Sequence, residues 1–251
     1  MTLSPVILVT GASRGIGAAT VRRLLEKGCR VSGAARSPEP LAAAAAEAAD
    51  RFLPLTGDVS READCRRLVT DTAAHFGRLD ALVNNAGILG PVTRLADAAP
   101  EAWRHNLAVN LLGPFYLAQA AIPHLRAARG RIVTVGSGAS VKAIEGWSAY
   151  CVAKAAVTHL TRLLAAEEPA IVSVALRPGV VDTGMQAQIR AEGATAMTPE
   201  KAEYFKRLKA DGELLAPEVP ARKIAWLALE ASPDLSGRFM EYDDPRIADG
   251  K

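Results

Sequence analysis

A tyrosine and a lysine in the second half of the chain have the types and spacing that suit proton transfer. Tyr150 and Lys154 are one helical turn apart, so on a helix their side chains would share a face. A free tyrosine has a pKa of about 10, and a nearby ammonium is expected to lower it toward the range of a general acid or base. The same spacing also occurs on ordinary helix surfaces, so the surrounding residues decide between the two interpretations.

A hydroxyl group beside such a pair would hold the oxygen of a substrate. Two serines precede Tyr150, Ser137 by thirteen positions and Ser140 by ten. Either hydroxyl could donate a hydrogen bond to an oxygen on which negative charge develops. The segment therefore contains the parts of a site that protonates an oxygen, with two candidates for the serine.

A glycine-rich stretch near the start of the chain, T-G-A-S-R-G-I-G over residues 10–17, could bind phosphate. Gly11, Gly15 and Gly17 follow an apolar run and lead into a helical pattern, so the stretch would present N–H groups at a helix N-terminus, where anions bind. The spacing matches neither the G-x-G-x-x-G fingerprint nor the P-loop. A plain strand-to-helix turn is the alternative.

Two arginines indicate which dinucleotide the stretch would hold. In NAD-binding folds an acid about 20 residues beyond the glycines binds the ribose 2′-hydroxyl. Here Ala35 is followed by Arg36, and the nearest acid, Glu39, lies beyond a proline. A guanidinium suits a 2′-phosphate, and Arg14 would add a second positive charge. We therefore expect NADP(H) rather than NAD(H).

Alternating apolar runs and helical patterns would position these residues. Strands are predicted at 5–10, 29–35, 51–56, 80–85, 131–136, 170–176 and 238–242, and helices at 16–27, 39–50, 61–76, 100–127, 148–167 and 218–231. The strands are apolar almost throughout, as in a sheet covered on both faces. The pattern predicts an α/β fold, a single Rossmann-type domain over residues 1–251 with a doubly wound parallel β-sheet and helices on both faces. Residues 183–216 are weakly patterned and are expected to form a substrate-binding loop.

Composition excludes several other classes of protein. The net charge is +3, with no basic stripe interleaved with aromatics, so we expect no nucleic-acid partner. The three cysteines are far apart and the four histidines have no metal-ligand spacing, which predicts reduced thiols and no metal. No apolar stretch reaches the length of a membrane span, and the N-terminus does not resemble a signal peptide. A cytoplasmic protein without a membrane partner is expected.

The glycine stretch and six later motifs resemble those of the short-chain dehydrogenase/reductase family. The later motifs follow in order and cover most of the chain: GDVS (57–60), NNAG (84–87), VNLLGPF (109–115), GSG (136–138), YCVAK (150–154) and RPGVVDTG (177–184). Members of that family have a Rossmann fold, use NAD(P) and are commonly homodimers or homotetramers. One departure is Gly136, because many relatives have a second serine before the catalytic one.

The resemblance implies roles for particular residues. The catalytic set would be Asn110, Ser137, Tyr150 and Lys154, with Ser137 preferred over Ser140 and the main chain of Asn110 holding a water that links Lys154 to solvent. Asp58 would contact adenine, although a helix cap is an equally good interpretation. The cofactor-binding residues would be Gly11, Ser13, Arg14, Gly15, Ile16, Gly17, Arg36, Asp58, Val59, Asn84, Ala86, Gly87, Tyr150, Lys154, Pro178, Gly179, Val181 and Thr183.

The expected substrate is an apolar or aromatic ketone, because the segment 183–216 is rich in apolar residues. Ser137, Ile144, Trp147, Tyr150 and Met185 are predicted to bind it. The C-terminal third resembles the benzil reductases, a group close to sepiapterin reductases, which implies an NADPH-dependent carbonyl reductase acting on a 1,2-dicarbonyl. The alternatives are a 3-oxoacyl carrier-protein reductase, a hydroxysteroid-type dehydrogenase and, outside enzymes, an NADP-sensing binding protein.

Overall fold

A single parallel sheet of seven strands organises the chain. The computed structural model describes residues 4–248. The strands lie in the order β3-β2-β1-β4-β5-β6-β7, and every neighbouring pair is parallel. Their bounds are β1 Val6–Thr10, β2 Arg30–Ala35, β3 Phe52–Thr56, β4 Ala81–Asn84, β5 Arg131–Val135, β6 Val172–Arg177 and β7 Phe239–Glu241. The predicted Rossmann-type fold is confirmed.

Alternate residues of each strand supply two separate cores, because successive side chains point to opposite faces of a sheet. Ile7 and Val9 pack on the face covered by helices α1 and α9. Val6 and Leu8 pack on the opposite face, under α3 and α5. The helices are α1 Gly15–Glu26, α2 Ala42–Glu47, α3 Glu62–Phe76, α4 Pro100–Leu107, α5 Gly113–Ala128, α6 Ser148–Glu167, α7 Gly184–Ala196, α8 Pro199–Ala210 and α9 Glu218–Glu230.

The segment predicted as a loop is instead a pair of helices. Residues 183–216 form α7 and α8, which pack on each other. A short bridge between Val181 and Leu215 closes the base of the insertion. Signals for α8 are present in the sequence, with Pro199 at its first turn and Arg207 and Lys209 in its last.

Two other predicted helices differ from the structure. The segment 39–50 contains only a 3-10 turn at Glu39–Leu41 and the short helix α2. The segment 100–127 is α4 and α5 joined by a π-helical turn, Ala108–Leu112, which contains Asn110. Wider turns of this kind are rare and often lie at functional sites.

Candidate active site

A cavity of about 820 Å³ opens where the parallel strands end. Residues that follow six of the strands line it, from Gly11 after β1 to Pro178 after β6. The sheet order reverses direction between β1 and β4. Open α/β sheets bind ligands at the carboxyl ends of the strands beside such a reversal. The fold therefore places the glycine stretch and the Tyr150 region at one site.

The glycine stretch forms a tight turn that leads into α1. Gly11 has φ +65, and a Cβ there would lie 2.8 Å from Nδ2 of Asn85. A Cβ on Gly17 would overlap the carbonyl oxygen of Gly11. Nδ2 of Asn85 donates to the carbonyls of Thr10 at 2.9 Å and Gly11 at 3.1 Å. Asn85 thus ties the end of β4 to this turn. The contact arises because β1 and β4 are neighbours in the sheet, so it could not be predicted from the sequence alone.

The two arginines predicted to bind a 2′-phosphate are both exposed and line the cavity. Arg14 precedes α1 and Arg36 follows β2. Among the described residues neither guanidinium has a hydrogen bond or ion pair with a carboxylate. Glu39 does not line the cavity. Within residues 4–248, this end of the site therefore has two cations that no carboxylate pairs with.

Asp58 also lines the cavity, directly after β3. Its carboxylate accepts the N–H of Ser60 at 2.9 Å, while its own N–H donates to Asp64 at 3.0 Å. The first turn of α3 begins later, after Arg61. The carboxylate therefore closes a local turn and is not a helix cap, which leaves its free edge available to the cavity.

Tyr150 and Lys154 lie on α6 and are both buried. The Lys154 ammonium lies 5.7 Å from the centre of the Tyr150 ring. Its Nζ donates to the carbonyl of Val135, the last residue of β5, at 2.7 Å. Ser137 is two residues further along, and its side chain is close enough to lower the pKa of Tyr150. The three predicted catalytic side chains therefore meet at one end of the cavity.

The second serine candidate has a different role. The hydroxyl of Ser140 donates to the main-chain carbonyl of Lys154 at 3.0 Å and accepts from Thr158 at 3.0 Å. Ser140 does not line the cavity, whereas Ser137 does. Of the two candidates, Ser137 therefore faces the cavity, and Ser140 anchors α6 to the turn after β5.

Burial controls the proton affinities of the pair. It raises the pKa of Tyr150 to about 12, and the nearby Ser137 side chain lowers it by less. Burial also lowers the pKa of Lys154 to about 8. The expectation that the ammonium brings the tyrosine below its ordinary pKa is wrong for the chain alone, because removing both groups from water is the larger effect. A phenol that keeps its proton is suited to donate it.

Asn110 belongs to a buried network that the sequence indicated only in part. Its Nδ2 donates to the side chain of Asn106 at 2.8 Å and to the carbonyl of Ile88 at 2.8 Å. Nδ2 of Asn106 in turn donates to the carbonyls of Leu89 at 3.0 Å and Gly90 at 2.6 Å. The two amides hold the segment after β4, which forms part of the cavity wall. Asn106 could have been noticed as a second polar residue one helical turn before Asn110.

Aromatic and apolar side chains form the other end of the cavity. Trp147 stacks on Phe205 of α8, with ring centres 5.5 Å apart, and meets the Tyr150 ring edge-on at 5.9 Å. The carboxylate of Glu145 accepts the N–H of Thr198 at the start of α8. About half of the apolar residues in 183–216 face the cavity: Met185, Ile189, Tyr204 and Phe205, with Met197, Leu208 and Leu214 packed behind them.

Most of the predicted site residues line this one cavity. They are Gly11, Ser13, Arg14, Gly15, Ile16, Arg36, Asp58, Val59, Ala86, Gly87, Ser137, Ile144, Trp147, Tyr150, Lys154, Pro178, Gly179, Val181, Thr183 and Met185. Gly17, Asn84 and Asn110 are buried behind its wall. For Asn84 this corrects the expectation that its side chain lines the site, because it lies within β4 itself and Asn85 takes the position at the wall. Within residues 4–248 no cluster of potential metal ligands is present, and none of the helices there has the length and apolarity needed to cross a bilayer.

A doubly wound sheet with a glycine turn after β1 and a buried Tyr–Lys pair beside its cavity defines the class of Rossmann-type oxidoreductases. The family model described as short chain dehydrogenase matches residues 5–194. The chain belongs to the short-chain dehydrogenase/reductase family, whose members use nicotinamide cofactors.

Three similar proteins cover nearly the whole chain. An uncharacterized oxidoreductase of Schizosaccharomyces pombe is 41% identical over 96% of this chain and 97% of its own length. A benzil reductase of Saccharomyces cerevisiae that forms (S)-benzoin is 39% identical over 98% of both chains. The crystal structure of a short-chain dehydrogenase/reductase from Saccharomyces cerevisiae is 38% identical, with a TM-score of 0.94 over 98% of this chain and 99% of that one.

Proposed function

We propose that this oxidoreductase is an NADPH-dependent carbonyl reductase that acts on an apolar or aromatic ketone, with a 1,2-dicarbonyl such as benzil as its substrate class. The observation that carries the proposal is one cavity with two uncompensated arginines at one end and Ser137, Tyr150 and an aromatic wall at the other. The similarity to a benzil reductase supports the dicarbonyl class.

The chain offers a suitable site for the cofactor. The N–H groups at the start of α1 would bind the pyrophosphate, and Arg14 and Arg36 would bind the 2′-phosphate through charge-assisted hydrogen bonds. Asp58 and Val59 would contact the adenosine, and Pro178, Gly179, Val181 and Thr183 would border the nicotinamide half. When bound there, NADPH supplies the hydride.

The residues of the chain would then bind and protonate the substrate oxygen. The Ser137 hydroxyl donates a hydrogen bond to the carbonyl oxygen and so stabilises the negative charge that develops on it. Tyr150 retains its proton in the buried site and donates it to that oxygen. Lys154 lies beside the ring and holds positive charge near the phenolate that remains. Asn110 fixes the π-helical turn behind Lys154, where the main chain would hold the water that returns a proton.

The aromatic wall suits a flat, apolar substrate. Trp147 and Phe205 are stacked and buried, so they form a rigid surface next to Tyr150. Rigid aromatic surfaces bind apolar rings with little loss of side-chain entropy. Ile144 and Met185 would close the pocket on either side.

A homodimer or homotetramer is part of the proposal. The described surface has large exposed apolar side chains on adjacent elements: Leu112 ends the π-helical turn, Phe115 lies in the first turn of α5, and Val152 and Leu163 lie on α6. Exposed apolar groups on neighbouring elements are typical of a surface that a second copy covers. Phe115→Asp is expected to shift the chain toward monomer in light scattering.

NADPH and NADH oxidation with a panel of ketones tests the proposal. The panel is benzil, a ketosteroid and an acetoacetyl thioester, each measured with both cofactors. Benzil is expected to give the highest kcat/KM, and NADPH to be preferred. Turnover of the thioester or the steroid alone would favour a 3-oxoacyl reductase or a hydroxysteroid dehydrogenase. Tight NADPH binding without any turnover would favour an NADP sensor.

A further inference from the structure

An arginine that has no part in the proposed reaction lies next to the catalytic residue Ser137. Arg177 is the last residue of β6, lines the cavity and precedes Pro178. It lies directly opposite Glu241 in the β6–β7 register, and its Nη1 donates to that carboxylate at 2.7 Å. The strand pair therefore fixes one edge of the guanidinium.

The main chain on the other side of this guanidinium is unusually close. A Cβ on Gly138 would lie 3.1 Å from Nε of Arg177 and 3.2 Å from both Cζ and Nη2. Gly138 directly follows Ser137 and also lines the cavity. A side chain at position 138 would therefore push the guanidinium away by a few tenths of an ångström. Arg177 is thus held between Glu241 and the residue after the catalytic serine.

This arrangement leaves hydrogen-bond capacity at the site. A guanidinium has five N–H donors, and within the described residues the bond to Glu241 is the one that Arg177 makes through its side chain. The side chain is 29% exposed. Lys142, whose N–H donates to the carbonyl of Gly138 at 3.1 Å, also lines the cavity and adds a second positive charge.

We propose that Arg177 determines substrate class by binding an oxygen on the carbon next to the reacting carbonyl. This inference rests on the proposed function and deepens it. Ser137 and Tyr150 would hold the oxygen that is reduced, so the adjacent oxygen of a 1,2-diketone, a 2-oxo ester or a 2-oxo acid would face the neighbouring guanidinium. A planar donor that is fixed before binding is suited to recognise that oxygen.

Matched substrates separate this role from a merely structural one. Benzil and deoxybenzoin differ by one carbonyl. The quantity compared between variants is the kcat/KM for benzil divided by the kcat/KM for deoxybenzoin. Arg177→Met is expected to lower the ratio by roughly tenfold to a hundredfold, the effect of losing one charged hydrogen bond. Arg177→Lys keeps the positive charge but loses the planar pair of N–H donors, so its ratio should lie between those of the wild type and Arg177→Met. Gly138→Ala should shift the guanidinium by a few tenths of an ångström and lower the ratio in the same direction by a smaller factor.

A control variant removes a comparable ion pair elsewhere. Arg126, outside the cavity, pairs with Glu168 at 2.6 Å, and Arg126→Met should leave the ratio unchanged. Thermal melts verify that each variant is folded. Benzoylformate and its methyl ester distinguish the oxygen source, because a larger Arg177→Met effect on the acid identifies a carboxylate and an equal effect identifies a neutral carbonyl.

Equal losses for benzil and deoxybenzoin in Arg177→Met and Gly138→Ala would overturn the inference and leave the reductase function standing. Full activity of Arg177→Met with both ketones would overturn it as well. If the wild-type chain oxidises NADPH with none of these ketones, the proposed function fails and this inference with it.

Discussion

Lys154 donates a hydrogen bond from Nζ to the main-chain carbonyl of Val135 at 2.7 Å, and this contact fixes a buried ammonium beside the end of β5. Ser137 begins the turn that follows the same strand. The position of the lysine is therefore set by the sheet as well as by its own helix. Holding a charged group in this place has a free-energy cost that depends on pH.

The buried lysine should make stability rise with pH. Its folded-state pKa of about 8 lies below the ordinary value of 10.5, so between these pH values the unfolded chain binds more protons than the folded one, and the free energy of unfolding increases as pH rises. From about pH 7 to about pH 9.5 the wild type should gain about 1 to 2 kcal/mol relative to Lys154→Met in urea unfolding. Lys201→Met, at an exposed site on α8, should show no such change relative to wild type. A constant difference between wild type and Lys154→Met would contradict the prediction.

Cofactor preference should depend on Arg36. Arg36→Asp replaces a cation at the proposed 2′-phosphate position with an anion, so the ratio of kcat/KM for NADPH to that for NADH should fall by at least roughly tenfold. Arg222→Asp, an exposed change on α9 outside the cavity, should leave the ratio within about twofold. An unchanged preference of Arg36→Asp for NADPH over NADH would show that Arg36 does not bind the 2′-phosphate.

The two serines should behave differently. Ser137→Ala removes the proposed donor to the substrate oxygen and should lower kcat by roughly 10²–10³. Ser140→Ala removes the hydrogen bond to the Lys154 carbonyl, so it should lower the free energy of unfolding by about 1 kcal/mol. It should lower kcat far less than Ser137→Ala does. Steady-state kinetics and melts on both variants test this. Equal activity losses would mean that Ser140 shares the role of Ser137.

Asn106 should contribute strongly to stability. Asn106→Ala removes the donor to the main-chain carbonyls of Leu89 and Gly90 and one of the two acceptors of the Asn110 amide, which should lower the free energy of unfolding by about 2 to 4 kcal/mol. Thr161→Val, equally buried but bonded only within its own helix turn, is the control and should lose about 1 kcal/mol or less. Similar losses in the two variants would show that the asparagine network contributes no more to stability than an ordinary buried hydrogen bond.

The sheet and the long helices could be predicted from sequence because their patterns are local. The predicted helix at 148–167 agrees with α6 at both ends, and the predicted strands differ from the structure by at most two residues. The helices of the 183–216 segment could not be predicted in the same way. Gly184 and Gly193 weaken the helical pattern of α7, and that helix is stabilised by packing against α8 and the cavity wall.

The candidate site was predictable where motifs follow strand ends, and less so where contacts cross the sheet. Asn85 is an example, since its bonds to the glycine turn join positions more than seventy residues apart. Arg177 is another, because its ion pair depends on the β6–β7 register. The proton affinity of Tyr150 also required the structure, since the extent of its burial cannot be read from the Y-x-x-x-K spacing.

The most direct measurement compares wild type with Tyr150→Phe in NADPH-dependent reduction of benzil, together with NADPH binding by fluorescence. We expect turnover by the wild type and a loss of at least about 10³ in kcat for the variant, because the proton donor is absent. The Kd for NADPH should change by less than about threefold, since the phosphate-binding end of the cavity is untouched. Substantial turnover by Tyr150→Phe, with NADPH bound as tightly as before, would show that Tyr150 does not protonate the substrate.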